Sequence, residues 1–180
     1  CSDGRGVKTM GKIGQPLPVK LVIPMLSAHQ DLFALAESAL VDRYGPVDVR
    51  SEALAFAHTR YYEAEFGPRL LRQFLAFERL IDPDALAAIK RHTNDLEEQW
   101  GEGGRRRINL DPGYLNHAKL VLATTKDYAH RIYVGQGIYA EVTLNYRAKD
   151  FVPFPWTYPD YASIEYRRVL QTIRQVYVGQ

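Results

Sequence analysis

The order of hydrophobic and polar positions is clearest in the last third of the chain. Ile138, Ala140, Val142, Leu144 and Tyr146 alternate with Tyr139, Glu141, Thr143 and Asn145, the period-two pattern of a strand with one buried face. A second run, Arg131 to Val134, precedes it across Gly135-Gln136-Gly137, and glycine supplies the positive φ that hairpin loops need. The faces select the loop length. A three-residue loop sets Val134 against Ile138, Tyr133 against Tyr139, Ile132 against Ala140 and Arg131 against Glu141, so that apolar meets apolar and Arg meets Glu. A two-residue loop at Gly135 and Gln136 would place Tyr133 opposite Ile138 and mix the faces. The expectation is a three-residue loop and one polar face carrying Arg131, Tyr133, Tyr139, Glu141 and Thr143. That face reads equally as a solvated surface with an exposed ion pair or as a ligand-facing surface.

Upstream, residues 1–17 are rich in Gly, Lys and Pro without periodicity and read as a flexible N-terminal arm. Residues 18–180 read as a single domain. Residues 19–26 (VKLVIPML) predict a strand in which Pro24, lacking a donor, implies an edge, a bulge or an early end. Leu32, Leu35, Ala36, Ala39 and Leu40 form the stripe of a helix over about 29–44, stopped by Gly45-Pro46. A strand over 47–57 follows, with Ala53, Ala55 and Ala57 on one face, then a loop or short helix over 59–67. The run LLRQFLAFERLI at 70–81 fits strand or helix, and a strand is expected. Asp82 as N-cap and Pro83 as first helical residue open a second helix, which Leu86, Ile89, Leu96 and Trp100 continue. Residues 106–110 are the next strand.

The order βαββαβ is the ferredoxin-like arrangement, which makes the fold class α+β. The last seventy residues supply a strand at 120–124, the hairpin and a helix over about 163–178. These are expected to cover the open sheet face.

Composition changes this picture little. A hydrophobic content of 46%, a charged content of 24% and a net charge of +2 are ordinary for a globule of this size. Nucleic acid would need a local basic patch, for which Arg105, Arg106 and Arg107 are the candidates, and it is not expected. One cysteine excludes an internal disulfide and a Cys-based zinc site, and suits a reducing compartment. No apolar run reaches the roughly 18 to 20 residues of a membrane span. Cys1 at the start would suit an acylated lipoprotein, but an upstream extension before Met10 is the favoured reading.

No Walker A string occurs. GVKT at residues 6–9 and Thr125-Lys126-Asp127 are near misses. Asp111, His117, Asp127, His130 and Glu141 fall close in sequence as a candidate metal or acid-base cluster, although no metal site is assigned. The candidate catalytic groups are Asp111 and Glu141 as carboxylates and His130 as proton carrier. The candidate ligand groups are Lys126 and Arg131 for an anion, with Tyr133, Tyr139 and Thr143 as walls. Asp111-Pro112-Gly113 has the composition of a tight turn after a strand. FPWTYPDY at 154–161 is either a wall over the hairpin or, more simply, the lead-in to the last helix.

The strings INLDPGYL, KLVLATTKDYAHRIYVGQGIYAEVTL and PWTYPDY, with MGKIGQP and ERLIDPDALAAIKRHTNDLE upstream, resemble a prokaryotic family of about this length. That family is a domain of unknown function, some of whose members carry the automatic label GTP-binding protein. The resemblance runs from about Met10 to near the C-terminus and implies a cytoplasmic protein starting near Met10. It carries over no catalytic residues, and the missing phosphate loop gives the GTP label no support. The leading expectation is a small-ligand-binding protein or enzyme acting on an anionic or phosphorylated compound. The alternatives are an RNA-binding module or a protein-interaction module without catalysis. The residues name no cofactor and set no oligomeric state.

Overall fold

The computed structural model describes residues 11–57 and 62–180. Cys1, the GVKT string and His58 lie outside them. Among the described residues no helix is long and apolar enough to cross a membrane.

The architecture is α+β, built on one ten-stranded sheet. Its strands are β1 (Lys20–Ser27), β2 (Val47–Arg50), β3 (Leu54–Ala55), β4 (Leu71–Phe77), β5 (Asn109–Leu110), β6 (Gly113–Leu115), β7 (Lys119–Thr124), β8 (Ile132–Gly135), β9 (Ile138–Arg147) and β10 (Asp150–Pro153). The main order is β10-β9-β7-β6-β1-β4-β2. Strand β3 sits on β4, β5 on β1 and β8 on β9. The helices are α1 (Gln30–Tyr44), α2 (Glu63–Phe66), α3 (Leu86–Gln99), α4 (Pro159–Ala162) and α5 (Ile164–Val178). The last seventy residues do two things: strands β6 to β10 lengthen the sheet, and α5 covers its other face as expected.

Alternation along β1 decides the layers. Leu21, Ile23 and Met25 point to one face, with Leu75 and Phe77 of β4, and pack under Leu32, Ala36 and Leu40 of α1 and Ile89 and Leu96 of α3. Val22 points to the other face, with Phe74 and Ala76, and packs under Tyr166, Leu170, Ile173 and Tyr177 of α5. Both faces of β1 are buried, which is why its sequence is nearly unbroken in apolar residues.

Pro24 does not end β1, which is a central strand. Its carbonyl accepts from Asp111 N at 3.0 Å, so the donor it lacks points toward Asp111, where the neighbouring strand is already interrupted. Asp111-Pro112-Gly113 is likewise no reversal. Met25 pairs with Leu110 and Val22 with Gly113, one continuous register through the interruption. Gly113 is required by close approach: a Cβ there would stand 2.3 Å from Val121 O and 2.6 Å from Leu122 Cδ2. The expected strand over 47–57 is two short pieces, β2 and β3, both paired to β4. The second helix opens as a 3-10 turn, Pro83–Ala85, and Asp82 makes no side-chain cap bond.

The hairpin keeps the expected pairs Ile132 with Ala140 and Tyr133 with Tyr139. Gly135, however, pairs with Ile138, so Val134 is bulged and the turn is two residues, Gln136 and Gly137, both at positive φ. A two-residue turn with both central residues left-handed matches the strand twist, and the bulge restores the faces. A second bulge corrects the alternation of β9. Leu120 pairs with Leu144 but Val121 with Val142, leaving Thr143 extra. Ile138, Ala140 and Val142 thus pack toward α3, whereas Leu144 and Tyr146 join the α5 side.

Candidate functional site

The sheet splits at the interruption between β5 and β6. Strand β6 bonds to both β1 and β7, while β5 bonds to β1 alone, and past Ala123, whose N donates to Pro112 O at 3.0 Å, β7 leaves its neighbour. The opening is a cleft of about 590 Å³, within the usual size of small-ligand sites. Side chains from several elements reach it: Arg72 from β4, Lys90 from α3, Arg106 and Asp111 from the β5 region, Lys126, Arg131 and Glu141 from the β7–β9 region, and Asp160 and Tyr161 from α4.

Arg72 forms the floor. Its side chain is 1% exposed, and it donates from Nη1 to Asp111 Oδ2 at 3.0 Å, from Nη2 to Asp160 Oδ2 at 3.3 Å and from Nε to the Tyr166 hydroxyl at 3.3 Å. Asn109 Nδ2 donates to the same Asp111 oxygen at 2.7 Å. Burial pushes the Asp111 carboxyl up, but the charges of Arg72 and Lys90 outweigh it and hold it below its ordinary value. Lys90, itself buried, donates to Leu110 O at 3.0 Å.

Arg106 lines one wall and is held from behind. Glu65 takes its Nε and Nη2 at 2.7 and 2.9 Å, and Nη1 donates to Asn109 Oδ1 at 2.9 Å and to Glu97 Oε2 at 3.3 Å. Glu97 also accepts from Leu110 N at 2.7 Å. Its burial raises the carboxyl above the ordinary value despite Lys90, that N–H and Arg106.

On the opposite wall Arg131 Nε donates to Glu141 Oε2 at 2.9 Å, and His130 Nε2 meets the same oxygen at 2.9 Å. Thr143 supports Glu141 Oε1 at 3.2 Å. The Arg131 and Glu141 side chains are 4% and 5% exposed, so the pair is not an exposed one. Arg131 also lies 4.2 Å from the Tyr128 ring centroid, a cation–π contact. The 154–161 segment is both wall and lead-in. Trp156 donates from Nε1 to Val142 O at 2.9 Å and stacks on His130 at 5.4 Å, while Tyr158, Asp160 and Tyr161 border the cleft on the way into α5.

The chain matches the family described as Domain of unknown function (DUF4416) over residues 17–177. It belongs to that family. No curated protein and no solved structure matches it.

In this DUF4416 chain the cleft gathers Asp111, Lys126, Arg131 and Glu141 of the residues expected from sequence. His130 touches Glu141 from outside the lining, and Thr143 lies buried behind it. Tyr133 is 59% exposed and packs edge-on against Tyr139 at 5.3 Å, so both belong to the outer hairpin. Arg105, Arg106 and Arg107 do not form one patch, because Arg106 turns into the cleft while Arg107 lies 3.8 Å from Glu102. Among the described residues no group of three or more His, Cys, Asp or Glu is placed to hold a metal, and His117 packs on Tyr177 at 4.9 Å, apart from His130. Sequence reading missed Arg72, Lys90, Asp160 and Tyr161. For Arg72 there was a signal: a lone Arg within the apolar run of β4, where an unpaired charge could not be buried.

Proposed function

We propose that the cleft binds a small anionic or phosphorylated compound. One observation carries this: five cationic side chains, Arg72, Lys90, Arg106, Lys126 and Arg131, line one concavity against three carboxylates, Asp111, Glu141 and Asp160. Anchored guanidinium and ammonium groups in a partly desolvated cleft are suited to hold phosphate or carboxylate oxygens. The aromatic walls, Phe56, Tyr62, Tyr128 and Tyr158, suit the uncharged part of such a compound. Within this reading Asp111, Glu141 and His130 are the acid-base candidates if the compound is turned over. The antiparallel neighbours β2-β4-β1-β5 support reading that half as a ferredoxin-like core, and the single cysteine fits a cytoplasmic setting.

The test is calorimetric titration of the full chain with propyl phosphate at low salt. Saturable one-site binding is expected, weakened about tenfold by Lys126→Gln, whose side chain is at the exposed rim. Absence of saturable binding overturns the reading.

A further inference from the structure

Two polar groups of the cleft keep hydrogen-bonding capacity that the described residues do not use. Tyr161 is 3% exposed and lines the cleft, and its hydroxyl has no hydrogen-bond partner among the described residues. Buried hydroxyls are nearly always bonded, so one left unmatched in a cavity wall points to a partner that arrives with a ligand. Asp111 is the second. Both hydrogen bonds it accepts, from Arg72 and Asn109, land on Oδ2. Oδ1 accepts none among the described residues, and the side chain remains 24% exposed. Arg72 ties the two together, its guanidinium carbon lying 5.7 Å from the Tyr161 ring centroid while Nη1 holds Asp111.

We propose that Tyr161 and Asp111 form a hydroxyl-reading floor, so that the anionic ligand is a phosphorylated polyol or sugar rather than a bare anion or an alkyl phosphate. This rests on the anion-binding reading above and adds the chemistry of the ligand's uncharged part. The two groups differ in what they accept. Burial drives the Tyr161 hydroxyl well above its ordinary value, so it stays a neutral donor and acceptor, while Asp111 is held as a carboxylate and only accepts. A phosphate oxygen would satisfy Tyr161 but be repelled by Asp111. An ammonium would suit Asp111 but sit against Arg72 and Lys90. An alcohol donates to Asp111 Oδ1 and accepts from Tyr161 at once, and a site built to bond a hydroxyl rejects the analogue lacking it.

The experiment compares glycerol 3-phosphate with propyl phosphate, which carries the same anion without hydroxyls, by calorimetry on the full chain. Glycerol 3-phosphate is expected to bind at least about tenfold tighter. Tyr161→Phe should weaken glycerol 3-phosphate until the two bind about equally. Without ligand, Tyr161→Phe should melt at or above the parent temperature, because it removes an unmatched hydroxyl. Equal affinities in the parent chain, or discrimination that survives Tyr161→Phe, overturn the hydroxyl assignment and leave the anion reading standing. Failure of both phosphates to bind overturns the anion reading itself.

Discussion

Arg131 Nε lies 2.9 Å from Glu141 Oε2, and both side chains are withdrawn from solvent on the wall of a cleft. A pair so placed is sensitive to the loss of one member, since the other charge is then stranded in a poorly solvated site. Glu141→Gln and Arg131→Gln are each expected to cost about 3 to 5 kcal/mol, and the double mutant less than their sum. Urea unfolding of the three variants measures this. Single-mutant losses below about 1 kcal/mol would mean that the pair behaves as an exposed one.

That pair was legible in the sequence because cross-strand chemistry favoured one register, and the register holds at Tyr133 with Tyr139. What the sequence did not show were the bulges. Val134 and Thr143 are ordinary strand residues, and nothing local marks them as the extra residue. Their displacement is set by what lies across the sheet, including Leu144 reaching the core beneath α5. Composition likewise suggested a turn at Asp111-Pro112-Gly113, where pairing with β1 overrides it. The cleft was half legible: its hairpin wall came from one contiguous stretch, whereas Arg72, Lys90 and Asp160 are brought in by tertiary packing, 19 or more residues away from Asp111 or Glu141 along the chain.

Gly113 tests the account of the interruption. A Cβ at this position meets backbone and a packed leucine, neither of which can swing aside as a flexible side chain would. Gly113→Ala is expected to cost about 1 to 3 kcal/mol by overpacking. A variant as stable as the parent in urea unfolding would show that β6 and β7 are not that close.

The arginine triplet separates scaffold from nucleic-acid surface. Arg106 is bound by Glu65, Glu97 and Asn109, and removing it leaves the buried Glu97 carboxylate without one of its counter-charges. Arg106→Gln should therefore lose about 1 to 3 kcal/mol, while Arg105→Gln and Arg107→Gln stay within about 0.5 kcal/mol. The parent chain should not be retained on single-stranded RNA at low salt. Retention that falls steeply with salt, and falls further in the Arg105 and Arg107 variants, would replace this reading with a nucleic-acid one.

Asp111 and Arg72 are thermodynamically linked through pH. The Asp111 carboxyl titrates below its ordinary value of 3.8 in the folded chain and near that value when unfolded. Its contribution is therefore fully present above about pH 4 and is lost as pH falls through the lower, folded value. Glu65 is lowered by Arg106 and acts in the same direction. Glu97, raised by burial, acts in the opposite one, its protonated form favouring the folded chain. The acid limb of the parent protein is thus a sum of terms of both signs, and a difference between two chains isolates the one at Asp111. Asp111→Asn leaves the buried Arg72 with Asp160 as its remaining carboxylate partner in the cleft, and should cost about 3 kcal/mol at pH 7. The gap between parent and variant should shrink as pH drops below about 4, because only the parent has that stabilisation to lose. Unfolding free energies of both chains from pH 7 down to the acid transition give the comparison. A gap that stays constant over the whole range would show that Asp111 does not enter the floor as the ionised partner of Arg72.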